Sequence, residues 1–300
     1  MGAKVNQYKY HTRPPGVYIS YLRLIWWARR RFGIKAYGIG WMASKVSRDF
    51  HFIFKGVPFI FSTLAARSYC LLPAGIANEP ETHAFLDKAL SFVPGVVFID
   101  IGASIGEFAI PMAHDVRVKK VLAFEPHPAS NTALRVSAHL APVNKIEIIS
   151  KGVSSRGGVA YFDSRETAPT SAGLTSAKEN NNTIQVQLCG LDEILQFDQD
   201  CQAFIILMDI EGGELDALTG ARRFIEEHHP LLIFEYNDTT RRSFLLKQVE
   251  ELLGTGYRLY RMRSPDGLLD RVFTTTWNIV AMPLKGTWMN FSNTPGLIAE

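Results

Sequence analysis

Acidic residues are missing from the first 48 positions of this 300-residue chain, which carry ten lysines and arginines instead. Against a total net charge of +3, everything after them sums to −7, so a basic arm precedes an acidic body. Such asymmetry informs on partners and solubility, not on fold. Cysteine is scarce: Cys70, Cys189 and Cys201 form an odd set without metal-type spacing. That argues against a disulfide framework or a zinc site and for a reducing, cytoplasmic compartment. No apolar run reaches the roughly 18–20 residues that span a bilayer. The best stretch, Leu24-Ile25-Trp26-Trp27-Ala28, stops at Arg29-Arg30-Arg31 and lacks the long apolar region and cleavage site of a secretory signal. Asn6 breaks the myristoylation pattern that Met1-Gly2 would open. The Gly-x-Gly-x-x-Gly turn of dinucleotide sites is also absent, which disfavours a nicotinamide oxidoreductase.

The rest is an ordinary globular composition, 47% hydrophobic and 20% charged, long enough for one large α/β domain with an appendage. The arm, residues 1–50, is aromatic as well as basic. Its residues 18–32 predict an amphipathic helix with Tyr18, Leu22, Ile25 and Trp26 on one side and Arg23, Arg30 and Arg31 off it. This composition suits an interfacial anchor on anionic lipid. It also suits a nucleic-acid grip, or an extension packed on the acidic body or on a second copy of the chain. Residues 51–95 read as a β-hairpin around Lys55-Gly56-Val57, followed by a helix opening at Glu79-Pro80-Glu81-Thr82 with Phe85, Leu86 and Leu90 as its buried stripe.

From 96 to 285 apolar strands alternate with helices: strands at 96–101, 120–125, 145–150, 203–209 and 231–235, helices at 106–114, 128–140, 214–228 and 242–253. Continuous apolar strands spaced by helices predict a parallel sheet covered on both faces, a Rossmann-like α/β fold. Two last strands, 257–263 and 276–282, with only a loop between them, predict a closing antiparallel pair. A hairpin insertion occupies 157–190, and 286–300 form a tail. Pro111, inside the first of these helices, predicts a late start or a kink.

Right-handed crossovers put Gly102, Glu125, Asp209 and Glu235 on one rim of the sheet. The first strand runs into Asp100-Ile101-Gly102-Ala103-Ser104-Ile105-Gly106. Its glycines let backbone approach a ligand, but Asp100 would repel a pyrophosphate and suits a cationic amino group. Glu125 ends the second strand, where an acid can accept from ribose hydroxyls. S-adenosylmethionine, a nucleoside with an amino-acid tail and no phosphate, meets both demands.

Three segments, Asp100–Gly106, Ala123-Phe124-Glu125-Pro126-His127-Pro128 and Met208-Asp209-Ile210-Glu211-Gly212-Gly213-Glu214, together with Glu79-Pro80-Glu81-Thr82, resemble the FkbM family of S-adenosylmethionine-dependent methyltransferases. The resemblance covers about half the chain, from Phe98 to Glu235. It implies a class I methyltransferase fold, with Asp100, Gly102, Ala103, Ser104 and Gly106 around the methionine part and Glu125 and Pro126 at the ribose. It also implies the backbone of Gly152 and Val153 at the adenine, and Glu81 as a further cofactor residue. The implied reaction is O-methylation of a glycan or secondary-metabolite hydroxyl. Ser104 stands where the family turn has Asn, and Met208 where it has Lys.

A hydroxyl acceptor needs a base or a metal beside it. Asp209 and Glu211 are the leading candidates for base or acceptor clamp, with Glu235 and His127 in reserve. Glu214 reads better as a helix-terminus residue, His127 as a capping histidine, and no metal is expected because no histidine joins Asp209 and Glu211. An RNA ribose methyltransferase using the arm and a non-catalytic membrane-associated scaffold are the alternative readings. No Asn/Asp-Pro-Pro-Tyr/Phe tetrad follows the 203–209 strand, which disfavours methylation of base amino groups.

Overall fold

The computed structural model describes residues 9–32, 48–65, 69–163, 183–195, 203–273 and 278–299. The remaining parts of the arm, the tip of the 157–190 insertion and residues 276–277 of the last strand lie outside them. Eight helices and thirteen strands are used below, numbered in chain order.

At the centre is an eight-stranded sheet. In spatial order it runs β12 (Leu268–Asp270), β11 (Tyr257–Arg263), β13 (Asn278–Pro283), β10 (Leu231–Glu235), β9 (Phe204–Met208), β3 (Val96–Ile101), β4 (Val118–Phe124) and β5 (Ile146–Ile149). The strands from β10 to β5 are parallel, and β13 and β11 close the sheet antiparallel. The loop expected between the closing strands contains one more, β12, paired to β11 at the edge.

Alternate residues of the central strands enter two separate cores, which is why these strands read as unbroken apolar runs. Phe98, Ile205 and Ile233 face one side; Val97, Ile206 and Leu232 face the other, all essentially inaccessible. The first side is covered by α1 (Gly16–Phe32), the hairpin β1 (Phe50–Phe54) and β2 (Val57–Phe61), α2 (Pro80–Phe92), α3 (Ala109–His114) and α4 (Pro128–Leu140). The second is covered by α5 (Leu191–Ile194), α6 (Glu214–Thr219), α7 (Arg222–His228) and α8 (Leu246–Leu253). The segment after 285 is no loose tail: Trp288 and Phe291 are buried in the first core, and the Trp288 indole N–H donates to the Phe204 carbonyl at 3.0 Å.

Three helices differ from the pattern read in the sequence. α3 starts at Ala109, three residues late, so Pro111 falls in the first turn, where its missing N–H breaks no bond. The helix expected over 214–228 is broken at Gly220, where a Cβ would sit 2.1 Å from the Ser154 carbonyl oxygen. α8 starts at Leu246, behind a short 3-10 turn at Thr240–Arg242. The insertion forms its own small sheet, β6 (Gly152–Val153), β8 (Thr183–Cys189) and β7 (Gly158–Asp163) in spatial order.

Candidate functional site

The site is built where β3, β4, β9 and β10 end together. After β3 the chain passes through Gly102 (φ +87°), Ser104 (φ +47°) and Gly106 (φ +96°), all left-handed. Glycine is required at 102 because a Cβ there would lie 2.1 Å from the Asp209 carbonyl oxygen. The turn after β3 and the end of β9 therefore touch backbone to backbone, and the Asp209 N–H donates to the Ile101 carbonyl at 3.0 Å. At Gly106 a Cβ would meet Ile110 and Leu134 at 2.6 and 2.7 Å. Ala103 is buried, its N–H donating to the Phe124 carbonyl at 3.0 Å.

Ser104 bears the left-handed conformation without being glycine, at a cost of about 1–2 kcal/mol. A charge-assisted bond offsets it, since the Ser104 N–H donates to Glu125 Oε2 at 2.8 Å. Asn, the family residue at this position, tolerates that backbone region better. The other Glu125 oxygen accepts from the His127 N–H at 2.7 Å. Glu125 is thus clamped at the tip of β4, and burial still pushes its carboxyl up to about 7. Pro126, half-buried, leads to His127, whose Nδ1 accepts from the Ala129 N–H at 3.3 Å and caps α4.

Asp100 is 3% exposed. Its carboxylate accepts from the Ala109 N–H at the start of α3. Oδ2 is buried without a partner among the described residues. Burial raises this carboxyl to about 8, with Glu125, Glu79 and Glu107 adding like charge. A buried carboxylate oxygen left without a partner among the described residues is costly unless something pairs with it.

Past β9, Glu211 (φ +55°) and Gly212 (φ +111°) turn the chain back. Glu214 holds this loop from below, one oxygen accepting from the Ile210 N–H at 3.1 Å and the other from the Gly212 N–H at 2.9 Å. It is fully buried and committed to structure. Carboxylate oxygens of Asp209, Glu211 and Glu235 all come within 4.8 Å of one another. Glu235 takes one bond, from the Asn237 amide at 2.5 Å, and its Oε2 is buried without a partner among the described residues. Burial and neighbouring glutamates raise Glu235 to about 9 and Asp209 well above the ordinary carboxylate range. Carboxylates this close, two of them with raised values, do not all ionise at neutral pH.

Three further residues read from the sequence lie on other elements. Gly152 and Val153 lie in β6, beyond the end of β5; the Gly152 carbonyl accepts from the Cys189 thiol at 3.5 Å, and the Val153 side chain is buried in the second core. Glu81 is set apart from the turn: its carboxylate accepts from the Ser264 hydroxyl at 2.8 Å, beside the β11–β12 turn. Glu79, two residues earlier, lies with the acids instead, raising Asp100, Asp209 and Glu235. Its Oε2 accepts from Thr82 at 2.9 Å and from the Asn278 amide at 2.6 Å. The signal for Glu79 was the Glu-Pro-Glu-Thr run itself, in which Thr82 serves the first glutamate. Tyr69 went unnoticed in the sequence; its buried phenol faces Ser104 and Asp209. Met208 is buried in the second core.

Comparisons with known proteins agree with this geometry. Residues 100–261 match the Methyltransferase FkbM domain family. The chain is 28% identical over 199 residues to methyltransferase sdnD of Sordaria araneosa, covering 55% of this chain and 75% of that protein. Among solved structures, it is similar to an FkbM methyltransferase from Methylobacillus flagellatus KT (22% identity, TM-score 0.42, 63% of this chain and 44% of that one). It is also similar to M. jannaschii TYW2 in complex with AdoMet (14% identity, TM-score 0.42, 78% and 84%). The chain thus spans less than half the length of the Methylobacillus protein. With a family match over more than half of its length, across both the turn and the acidic cluster, the chain belongs to the FkbM methyltransferase family.

Proposed function

We propose that this chain is an S-adenosylmethionine-dependent O-methyltransferase acting on a hydroxyl of a glycan or secondary-metabolite acceptor. One observation carries the reading: a cation-receptive pair, Asp100 with its orphaned oxygen in β3 and Glu125 at the end of β4, shares one rim of the sheet with three converging carboxylates at the ends of β9 and β10. The donor residues fit such a cofactor. Asp100 Oδ2 offers a partner to an ammonium, and Glu125, already fixed by two N–H groups, has lone pairs left for ribose hydroxyls. When bound, S-adenosylmethionine supplies an electrophilic methyl on a sulfonium.

The chain's own residues then act on the acceptor. Asp209, Glu211 and Glu235 hydrogen-bond a hydroxyl and hold it near its line of attack, which supplies much of the rate in an in-line displacement. The ionised member of the cluster takes the hydroxyl proton as the oxygen bonds to the methyl and the neutral thioether leaves, so the carboxylate ends neutral, and the protonated members hydrogen-bond the acceptor. The test is transfer of a labelled methyl group to matched hydroxyl- and amine-bearing acceptors, wild type against Asp209→Asn and Glu211→Gln. Label on the hydroxyl series alone, reduced about 10²–10⁴-fold in one of the variants, is the size expected for loss of a general base. Label on amines, or undiminished transfer in both variants, refutes the assignment.

A further inference from the structure

The arm helix α1 carries two faces, and only one of them is used by the fold. Tyr18 and Leu22 are buried in the first core, Tyr18 meeting the hairpin rings of Phe50 and Phe61 at 6.1 and 6.2 Å. The side that the sequence offered to lipid is therefore occupied at Tyr18 and Leu22. A second stripe points outward at helical spacing: Val17 is 86% exposed, Leu24 60% and Trp27 53%, with Phe32 at 60% closing the helix end. Arg23, Arg29, Arg30 and Arg31 are exposed around it, and no acidic residue occurs anywhere in the first 48 positions.

We propose that this outward face of α1 docks the protein on an anionic membrane surface. Aliphatic and indole groups flanked by arginines match the acyl–headgroup boundary, where the former enter and the latter meet lipid phosphate. A nucleic-acid strand is a poorer match. Val17 and Leu24 have no base-stacking surface, and Arg30 and Arg31 already lie over the rings of Trp26 and Phe32, at 5.3 and 5.6 Å. The same helix on a second copy is poorer still, because it would set four arginines against four. No helix among the described residues is long and apolar enough to cross a membrane, so the contact is peripheral. The proposal stands independently of the cofactor and of methyl transfer.

The full chain is sedimented with phosphatidylcholine vesicles, with and without phosphatidylglycerol. The expected result is pelleting with the anionic vesicles only, weakening as salt is raised. Leu24→Ala with Trp27→Ala should weaken it at least tenfold. Replacing Arg29, Arg30 and Arg31 by Ala should weaken it about a hundredfold, and replacing them by Lys should keep it, each basic residue near the surface counting for about fivefold. These side chains are exposed, so the thermal midpoint should not move. No pelleting with anionic vesicles, equal pelleting with both vesicle types, or pelleting untouched by the alanine variants would overturn the proposal. Retention of the chain on single-stranded RNA with no vesicle binding would overturn it in favour of the nucleic-acid reading.

Discussion

Replacing Gly102 by alanine separates two costs that a glycine at positive φ usually confounds. Gly102 (φ +87°) and Gly95 (φ +80°) have nearly the same backbone conformation. An added Cβ at Gly95 meets nothing within 4 Å, whereas at Gly102 it would lie 2.1 Å from the Asp209 carbonyl oxygen and 2.9 Å from Ile210 Cγ2. Alanine at either position bears the left-handed penalty, about 1–2 kcal/mol. At Gly102 the obstructing atom is backbone, so the end of β9 must move by about an ångström, adding the 1–3 kcal/mol or more typical of forced overpacking. The expected loss is about 1–2 kcal/mol for Gly95→Ala and about 2–5 kcal/mol for Gly102→Ala. Urea unfolding followed by far-ultraviolet circular dichroism measures both. Because the displaced atom belongs to Asp209, Gly102→Ala should also depress turnover while Gly95→Ala leaves it unchanged. Equal destabilisation by the two variants would refute the backbone contact between the turn and the acidic cluster.

Glu214→Ala removes the acceptors of the Ile210 and Gly212 N–H groups, so it should cost about 3 kcal/mol in thermal or urea unfolding, at roughly 1.5 kcal/mol or more per bond to a charged group. The pH dependence of stability runs opposite to that of a protein held by salt-bridged acids. Asp100, Glu125, Glu214 and Glu235 bind protons more tightly folded than unfolded, with values of about 8, 7, 7 and 9. Their contribution is greatest below the unfolded value of about 4 and is lost as pH rises through 7–9. The melting temperature should therefore fall between pH 6 and pH 9, and Glu235→Gln should flatten that fall; a rise would contradict the shifts. Glu81→Gln, which disturbs only the bond to Ser264, should leave S-adenosylhomocysteine affinity in calorimetry within about twofold of wild type.

The sheet was legible because its strands are buried on both faces and flanked by helices, a pattern that depends on local residue order. The turn and Glu125 were legible for the same reason, lying at strand ends whose order follows from chain handedness. What escaped depends on contacts distant in sequence. Gly220 reads as an ordinary helix residue until the Ser154 carbonyl packs against it. Asp100 accepts from the Ala109 N–H at the start of α3, a bond that Pro111 does not announce. Glu79 stands just before α2 with non-helical backbone (φ −122°, ψ 74°) and Glu81 lies in its first turn, and Glu79 is held toward the acids by Asn278 some 200 residues later. The apolar side of α1 was recognised, but not that the first core takes in Tyr18 and Leu22 and leaves another stripe outside.

The most direct measurement is calorimetric titration of the purified chain with S-adenosylhomocysteine, beside Glu125→Ala and Asp100→Asn. The expected result is micromolar-range binding by the wild type, lost in Glu125→Ala and weakened in Asp100→Asn while both variants remain folded. A folded wild type that binds nothing, or binding that neither substitution alters, would contradict the assignment of this rim as a methyl-donor site.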